Sequence, residues 1–178
     1  GRDHKVYRYR DGGWDVWKIE ECKAAWAFAD APDGEFYCGF NAPGDAGGLF
    51  RKVGDGWERV PNFDTAGSNA VRDIEFDSSG TMWVGAPITY AATGNTTYHG
   101  GPRILYRDTG GDFVNFDLHG RQIDCVIAFD HLDRLWAGSL TEVHVFDNGQ
   151  WITYDNDNSP YGYAYTSDIA LEIGRAHV

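Results

Sequence analysis

Long apolar runs are missing from this sequence: nothing approaches the roughly 18 consecutive apolar residues that a membrane-spanning helix needs. No charged, then apolar, then small-residue leader opens the chain either, but it begins at Gly1 rather than methionine, so the missing leader carries no information on export. Basic charge is scarce. Lys and Arg total 15 against 27 Asp and Glu, a formal net charge of −12, which repels a phosphate backbone and excludes nucleic acid as an expected partner. Cysteine is scarce and widely spaced: Cys22, Cys38 and Cys125 form no CxxC pair, so zinc and dithiol redox chemistry are not expected. Buried free thiols, or one disulfide with a leftover thiol, remain open.

Catalytic signatures are absent too. The chain has no Gly-x-Ser-x-Gly elbow, no His-Glu-x-x-His pair and no Gly-Lys-Ser/Thr phosphate loop. Gly54-Asp-Gly56 opens like a dinucleotide loop but lacks the third glycine and lies between two strand-like runs. Asp155-Asn-Asp-Asn-Ser159 alternates oxygen ligands as a calcium loop does, yet Pro160 stands where glycine is needed and no glutamate closes it. No cofactor, metal or catalytic residue is expected.

What the sequence does contain is aromatic residues (15%) and 23 glycines, with few stretches able to form a long amphipathic helix. That composition favours short strands joined by tight turns. A repeat then organises the whole chain. Phe28, Phe76 and Phe129 each end an apolar run and are followed within two residues by Asp30, Asp77 and Asp130. Turns at Ala31-Pro-Asp-Gly34, Ser78-Ser-Gly80 and His131-Leu-Asp133 lead into Phe36-Tyr-Cys-Gly39, Met82-Trp-Val-Gly85 and Leu135-Trp-Ala-Gly138. The three closing glycines are 46 and 53 residues apart. A second hairpin follows each unit, through Gly54-Asp-Gly56, Asp108-Thr-Gly-Gly-Asp112 and Asp147-Asn-Gly149, and an extra hairpin through Asp11-Gly-Gly13 precedes the first.

Four strands in a repeat of about 45 residues make a β-propeller blade. The expected fold is therefore all-β, a β-propeller fragment of about three and a half four-stranded blades forming an open arc. Residues 1–171 form one incomplete domain: a half blade at 4–18, blades at about 24–60, 70–117 and 123–155, and the start of another at 167–171. Glu172-Ile-Gly-Arg-Ala-His-Val178 looks like translated sequencing-adapter read-through and is expected to lie outside the fold. A β-sandwich explains the strand spacing but not the recurrence in register of Asp, turn, Trp and Gly. The repeated aspartates are expected to shape turns. Trp83 and Trp136, with Tyr37, are expected to fill the space between blades, and Trp14, Trp57 and Trp151 to cover the blade edge. With strand edges and blade faces left open, the isolated chain is expected to aggregate or fold poorly.

Phe76-Asp-Ser-Ser-Gly-Thr-Met-Trp-Val-Gly85 resembles the two-component regulator propeller repeat. Phe129-Asp-His-Leu-Asp-Arg-Leu-Trp-Ala-Gly138 is a second copy, and Asp30 to Gly39 a third, with Tyr37 in place of Trp and a turn two residues longer. The resemblance implies a periplasmic or extracellular sensor region of a bacterial signalling protein, glycan fragments being one class of ligand, with the remaining blades of the parent protein as structural partners. A lyase or glycoside-active propeller enzyme and a protein-interaction propeller are the alternatives.

Blade strands are consumed by packing, so recognition is expected in the long connections at one end of the propeller. Ala86 to Pro102 carries Tyr90, Asn95, Tyr98 and His99; Asp155 to Thr166 carries Tyr161 and Tyr163, with Tyr165 beside them. Tyrosine rings beside amide and carboxylate groups suit stacking on a sugar and hydrogen bonding to its hydroxyls. A small-molecule or carbohydrate ligand is expected there.

Overall fold

A computed structural model describes residues 5–18, 25–40, 47–63, 71–87, 103–116, 118, 126–139, 141–160, 166 and 168–171. Its fourteen described strands are β1 (Lys5–Arg10), β2 (Gly13–Lys18), β3 (Ala25–Asp30), β4 (Phe36–Phe40), β5 (Gly48–Val53), β6 (Gly56–Arg59), β7 (Asp73–Phe76), β8 (Met82–Pro87), β9 (Arg103–Asp108), β10 (Phe113–Asn115), β11 (Val126–Phe129), β12 (Leu135–Gly138), β13 (Val143–Asp147) and β14 (Gln150–Tyr154). They form one two-stranded sheet, β1-β2, and three four-stranded antiparallel meanders, β3 to β6, β7 to β10 and β11 to β14. These are a leading hairpin and three β-propeller blades.

Sequence explains the hairpins locally. Asp11 and Gly12, then Asn148 and Gly149, occupy the two central positions of tight turns with φ of 53°, 79°, 47° and 81°, the left-handed geometry that matches the twist of the flanking strands. The turn between the first two strands of a blade has its own chemistry. Asp77 N–H donates to the Thr81 carbonyl (3.1 Å) while the Asp77 carbonyl accepts from Gly80 (2.9 Å), and Asp130 does the same with Arg134 (3.2 Å) and Asp133 (2.9 Å).

In the first blade these two bonds run from Ala31 N–H to Glu35 (2.8 Å) and from Gly34 to the Ala31 carbonyl (2.9 Å). Ala31, not Asp30, is thus the counterpart of Asp77 and Asp130. Asp30 is the last residue of β3, opposite Phe36, and pairs with Arg8 of the leading hairpin. The turn is no longer than the others. The two extra residues arise because Phe28 stands opposite Cys38 whereas Phe76 stands opposite Met82, so that Asp30, opposite Phe36, is the positional match of Phe76.

The blades are held by three apolar layers. Val6 and Trp17 pack on Phe36, Cys38, Phe40, Phe50 and Trp57. Ala27, Leu49 and Phe63 pack on Val71, Ile74, Met82, Val84 and Tyr106. Trp83, Leu105 and Phe116 pack on Ile127, Leu135, Phe146 and Trp151. Trp83 is only 6% exposed and meets Phe129 of the following blade at 5.6 Å, as Tyr37 meets Phe76 at 5.8 Å. These rings fill the space between blades. Trp57 and Trp151 do not cover an edge: each turns onto the preceding unit, edge-on to Trp17 and to Phe116, both at 6.2 Å. Cys38 is a buried free thiol; Cys22 and Cys125 lie outside the described residues.

Between blades, the first strands approach one another most closely, β3 with β7 and β7 with β11. They line the inner rim of the arc, with the outer hairpins radiating away. Among the described residues no helix is long and apolar enough to cross a membrane.

Candidate functional site

Tyr90, Asn95, Tyr98, His99, Tyr161 and Tyr163 lie outside the described residues. The strands that carry their segments are described, however, and fix the end from which those segments leave. Pro87 and Arg103 are paired at the ends of β8 and β9, so residues 88–102 depart from and return to one end of the second blade. Asp73, the first residue of β7, is opposite Gly85 at that same end.

At this end the inner rim carries a set of polar groups that breaks the repeat. Strand pairing aligns Asp73 with Ala27 and Val126, and Glu75 with Ala29 and Ala128. Two carboxyl groups therefore stand where the other blades place small or apolar side chains. Asp73 is anchored across blades: one carboxyl oxygen accepts the N–H of Ile74 (3.0 Å) and the other accepts the N–H of Ile127 on β11 (2.8 Å). Asp168 repeats the local part of this motif with the N–H of Ile169 (2.8 Å).

Burial raises the Asp73 pKa to about 6, opposed by its two backbone hydrogen bonds and by Arg72, and assisted by the negative charge of Asp168. Burial raises Glu75 to about 7, and the charges of Asp73 and Asp168 push the same way. Both groups can hold or release a proton near neutrality, so each can donate or accept a hydrogen bond. The turn carboxylates behave oppositely. Asp77 accepts from Ser79 N–H (3.0 Å), Ser79 Oγ (2.6 Å), Thr81 N–H (2.9 Å) and Trp83 Nε1 (2.9 Å), and despite some desolvation these bonds hold its pKa below the ordinary carboxylate range.

An aromatic surface adjoins the acids. Trp26, at the register shift of β3, is 41% exposed although it lies on an inner strand, as expected where a bulge re-aims a side chain. The Arg72 guanidinium lies 5.7 Å from the Trp26 ring centre, and Arg72 directly precedes Asp73. A partly exposed ring, a guanidinium and a protonatable carboxyl pair thus share one rim. The signal for this set was in the sequence, as the charged alternation Arg72-Asp-Ile-Glu-Phe76 in a strand whose copies are Trp26-Ala-Phe-Ala and Val126-Ile-Ala-Phe.

A second concavity, about 440 Å³, opens at the other end between the leading hairpin and the first blade, lined by Arg8, Trp17, Phe36, Glu35 and Lys52 among others. Its cations are largely engaged, Arg8 by Asp30 and Lys52 by the Gly54 carbonyl. The Asp155 to Ser159 segment spends its oxygen atoms internally: Asp155 accepts from the N–H groups of Asp157 (2.9 Å) and Asn158 (3.2 Å), and its carbonyl accepts from Ser159. Among the described residues no group of three or more His, Cys, Asp or Glu is placed to hold a metal ion.

The raised carboxyl pKa values set a pH dependence. A group whose pKa is higher folded than unfolded leaves the native state with more bound protons between the two values, so stability falls as pH rises through that window. For Asp73 and Glu75 the window runs from the ordinary carboxyl range, about 4, up to about 7. The urea midpoint of the refolded chain is expected to drop between pH 5 and 8, and Glu75→Gln to flatten the upper part of that fall. A midpoint that rises over this range would contradict the buried-acid description.

No protein-family model and no curated protein matches the sequence. Solved structures do match the fold. The chain is similar to a catalytically inactive virginiamycin B lyase from Staphylococcus aureus solved with quinupristin, at 15% identity and TM-score 0.66 over 97% of this chain and 54% of that one. It is similar to a protein described as the extracellular domain of a one-component system from B. thetaiotaomicron, at 16% identity and TM-score 0.65 over 97% of this chain and 23% of that one. A protein described as a gluconolactonase aligns at 14% identity and TM-score 0.60 over 86% of this chain and 56% of that one. The chain thus spans at most about half the length of these proteins, and at these identities the likeness is one of fold.

Proposed function

We propose that this chain is the ligand-recognition segment of a larger bacterial extracytoplasmic signalling protein, and that the inner rim of its second blade, together with the 88–102 and 161–165 segments, binds a carbohydrate or similar polyhydroxylated small molecule. The observation that carries this reading is the half-exposed Trp26 ring beside Arg72 and the Asp73–Glu75 pair. A flat aromatic face supplies rigid contact area for a sugar ring, and carboxyl and guanidinium groups orient its hydroxyls. Tyr90, Asn95, Tyr98, His99, Tyr161 and Tyr163 would extend the same surface from the connecting segments. The resemblance in fold to an extracellular sensor domain supports both the role and a periplasmic or extracellular location.

A propeller enzyme is the second reading. It is favoured by two carboxyl groups with pKa values of about 6 and about 7, in the range where one group can act as general acid or base, and by the propeller enzymes among proteins of similar fold.

Tryptophan-fluorescence and calorimetric titration of the refolded chain with a panel of neutral oligosaccharides tests both. Recognition predicts saturable binding to at least one saccharide, unchanged on recovery, and weakened about tenfold or more by Trp26→Ala, the equivalent of about 1.4 kcal/mol. Cleavage or elimination of the saccharide, abolished by Asp73→Asn or Glu75→Gln, would replace that reading with the enzymatic one. Binding that is indifferent to Trp26→Ala would overturn the inner-rim assignment.

A further inference from the structure

Carboxyl groups tie the second blade to the third at both ends of their seam. At the turn end, Asp133 Oδ1 accepts the Ser78 N–H at 2.7 Å. At the inner rim, Asp73 Oδ2 accepts the Ile127 N–H of β11 at 2.8 Å. Between these ties the seam is apolar, Trp83 and Leu105 packing on Ile127 and Leu135. The rim tie has a neighbour of its own kind: Glu75 follows Asp73 by two residues along β7, which puts both side chains on one face of the strand.

Glu75 is half-buried, and among the described residues nothing donates a hydrogen bond to it. The positions aligned with it on the neighbouring inner strands are Ala29 and Ala128, too short and apolar to pair with a carboxylate. Trp83 stands opposite it on β8. The Arg107 guanidinium of β9 lies 5.7 Å from the centre of that ring but is not among the charges that act on Glu75. Those charges are Asp73 and Asp168, both negative. Arg72, next to Asp73 on β7, acts on Asp73 and lies over Trp26. An ionised Glu75 therefore meets like charge without a counter-ion, and the stronger of the two repulsions comes from the group that ties the rim.

We propose that Glu75 is a proton-controlled latch on the inner rim: neutral, it leaves Asp73 seated on the Ile127 N–H, and ionised, it displaces Asp73 and loosens β7 from β11. The Asp133–Ser78 tie keeps the other end closed, so the seam opens at the rim and pivots at the turns. Burial, which raises Glu75 to about 7 and Asp73 to about 6, sets the order of events. Asp73 is already ionised when Glu75 loses its proton, and the repulsion then appears as pH rises through neutrality. The latch goes beyond the recognition reading and needs no ligand, although the strands it moves border the proposed binding rim.

Amide hydrogen exchange of the whole chain tests it, read by NMR as protection factors between pH 6 and 8.5 so that the intrinsic pH dependence of exchange is removed. The Ile127 amide is expected to lose about tenfold or more in protection, centred near pH 7, while the Ser78 amide changes less than about twofold. Glu75→Gln, neutral at every pH, is expected to keep the acid-side protection of Ile127 throughout. Far-UV circular dichroism checks that this variant keeps its strands; where it does not, the comparison of the two amides in the wild type stands by itself. Constant protection of Ile127 in the wild type would overturn the proposal, as would a fall that persists in Glu75→Gln. An equal fall at Ser78 would overturn it as well, because the seam would then be opening with general unfolding. Failure to bind any saccharide would remove the recognition reading and leave the latch standing.

Discussion

Replacing Asp130 with alanine is expected to loosen the third blade, at a cost of roughly 1–3 kcal/mol, the range for leaving hydrogen-bond donors without their acceptor. Its carboxylate is 7% exposed and bridges Arg134 at 2.7 Å. It also accepts the N–H groups of Leu132 (2.9 Å) and Arg134 (3.0 Å) and the indole Nε1 of Trp136 (2.9 Å). Alanine leaves those donors without their acceptor, which costs more than the bonds themselves contribute net. Total stabilities of about 5–15 kcal/mol leave little margin for such a loss.

The first blade supplies a natural comparison, because Ala31 already occupies this turn position. There Tyr37 replaces tryptophan and donates its hydroxyl to Glu35 at 2.6 Å, so no indole N–H needs a carboxylate. Asp130→Ala combined with Trp136→Phe should therefore cost less than the two single losses added. Urea unfolding of the refolded chain measures this; a midpoint shift under about 0.5 kcal/mol for Asp130→Ala, the range of an ordinary surface change, would show that the turn does not depend on its carboxylate. Asp77 and Asp130 both have depressed pKa values, so what they contribute is present above the ordinary carboxyl range and lost only in stronger acid, the reverse of Asp73 and Glu75.

The second large effect is expected from Gly39→Ala. A Cβ there would lie 2.7 Å from Val71 Cβ and 3.1 Å from Ala27 Cβ, and Val71 is fully buried, its N–H bonded to the Phe40 carbonyl at 3.1 Å. Neither neighbour has a flexible end that could swing away, so relief requires the second blade to shift outward. Overpacking of this kind costs about 1–3 kcal/mol, and the upper part of that range is expected. Gly138 repeats the arrangement, its Cβ position 2.7 Å from Thr166 Cβ, so Gly138→Ala should behave alike. Gly56→Ala is the control, meeting nothing nearer than the Val53 carbonyl oxygen at 3.8 Å. Adding Val71→Ala to Gly39→Ala should restore part of the loss; no recovery would mean that the glycine serves something other than blade spacing.

These glycines show why the fold was legible in the sequence. The closing glycine, the ring two residues before it and the hairpin signals recur because each blade solves the same packing problem. What recurs can be found by aligning the chain with itself. Asp30 misleads for a related reason: the turn position belongs to Ala31, the Glu35 N–H is met instead by Asp33 Oδ1 at 2.9 Å, and the nearest carboxylate and phenylalanine, Asp30 and Phe28, imitate the motif one and two places out of register. Asp133 takes the left-handed conformation of the turn (φ 62°) and also links two blades, since its Oδ1 accepts the Ser78 N–H of the preceding blade at 2.7 Å.

The inner-rim site was hidden by the same logic. Asp73 and Glu75 are departures from the repeat, so a search for common residues passes over them. Trp26 was hidden by a register shift that only the pairing of β3 with β4 reveals. The connecting segments stand out through their tyrosines, and the pairing of Pro87 with Arg103 places both ends of the 88–102 segment at the end of the second blade where Asp73 stands.

The most direct test of inner-rim recognition is a carboxyl 13C NMR titration of the chain, run free and saturated with the saccharide that binds it. The account predicts Asp73 and Glu75 titrating near 6 and 7 in the free chain, both displaced by saturation, with Asp77 and Asp130 unmoved. Ordinary carboxyl values for Asp73 and Glu75, or a bound saccharide that leaves both titrations unchanged, would contradict it.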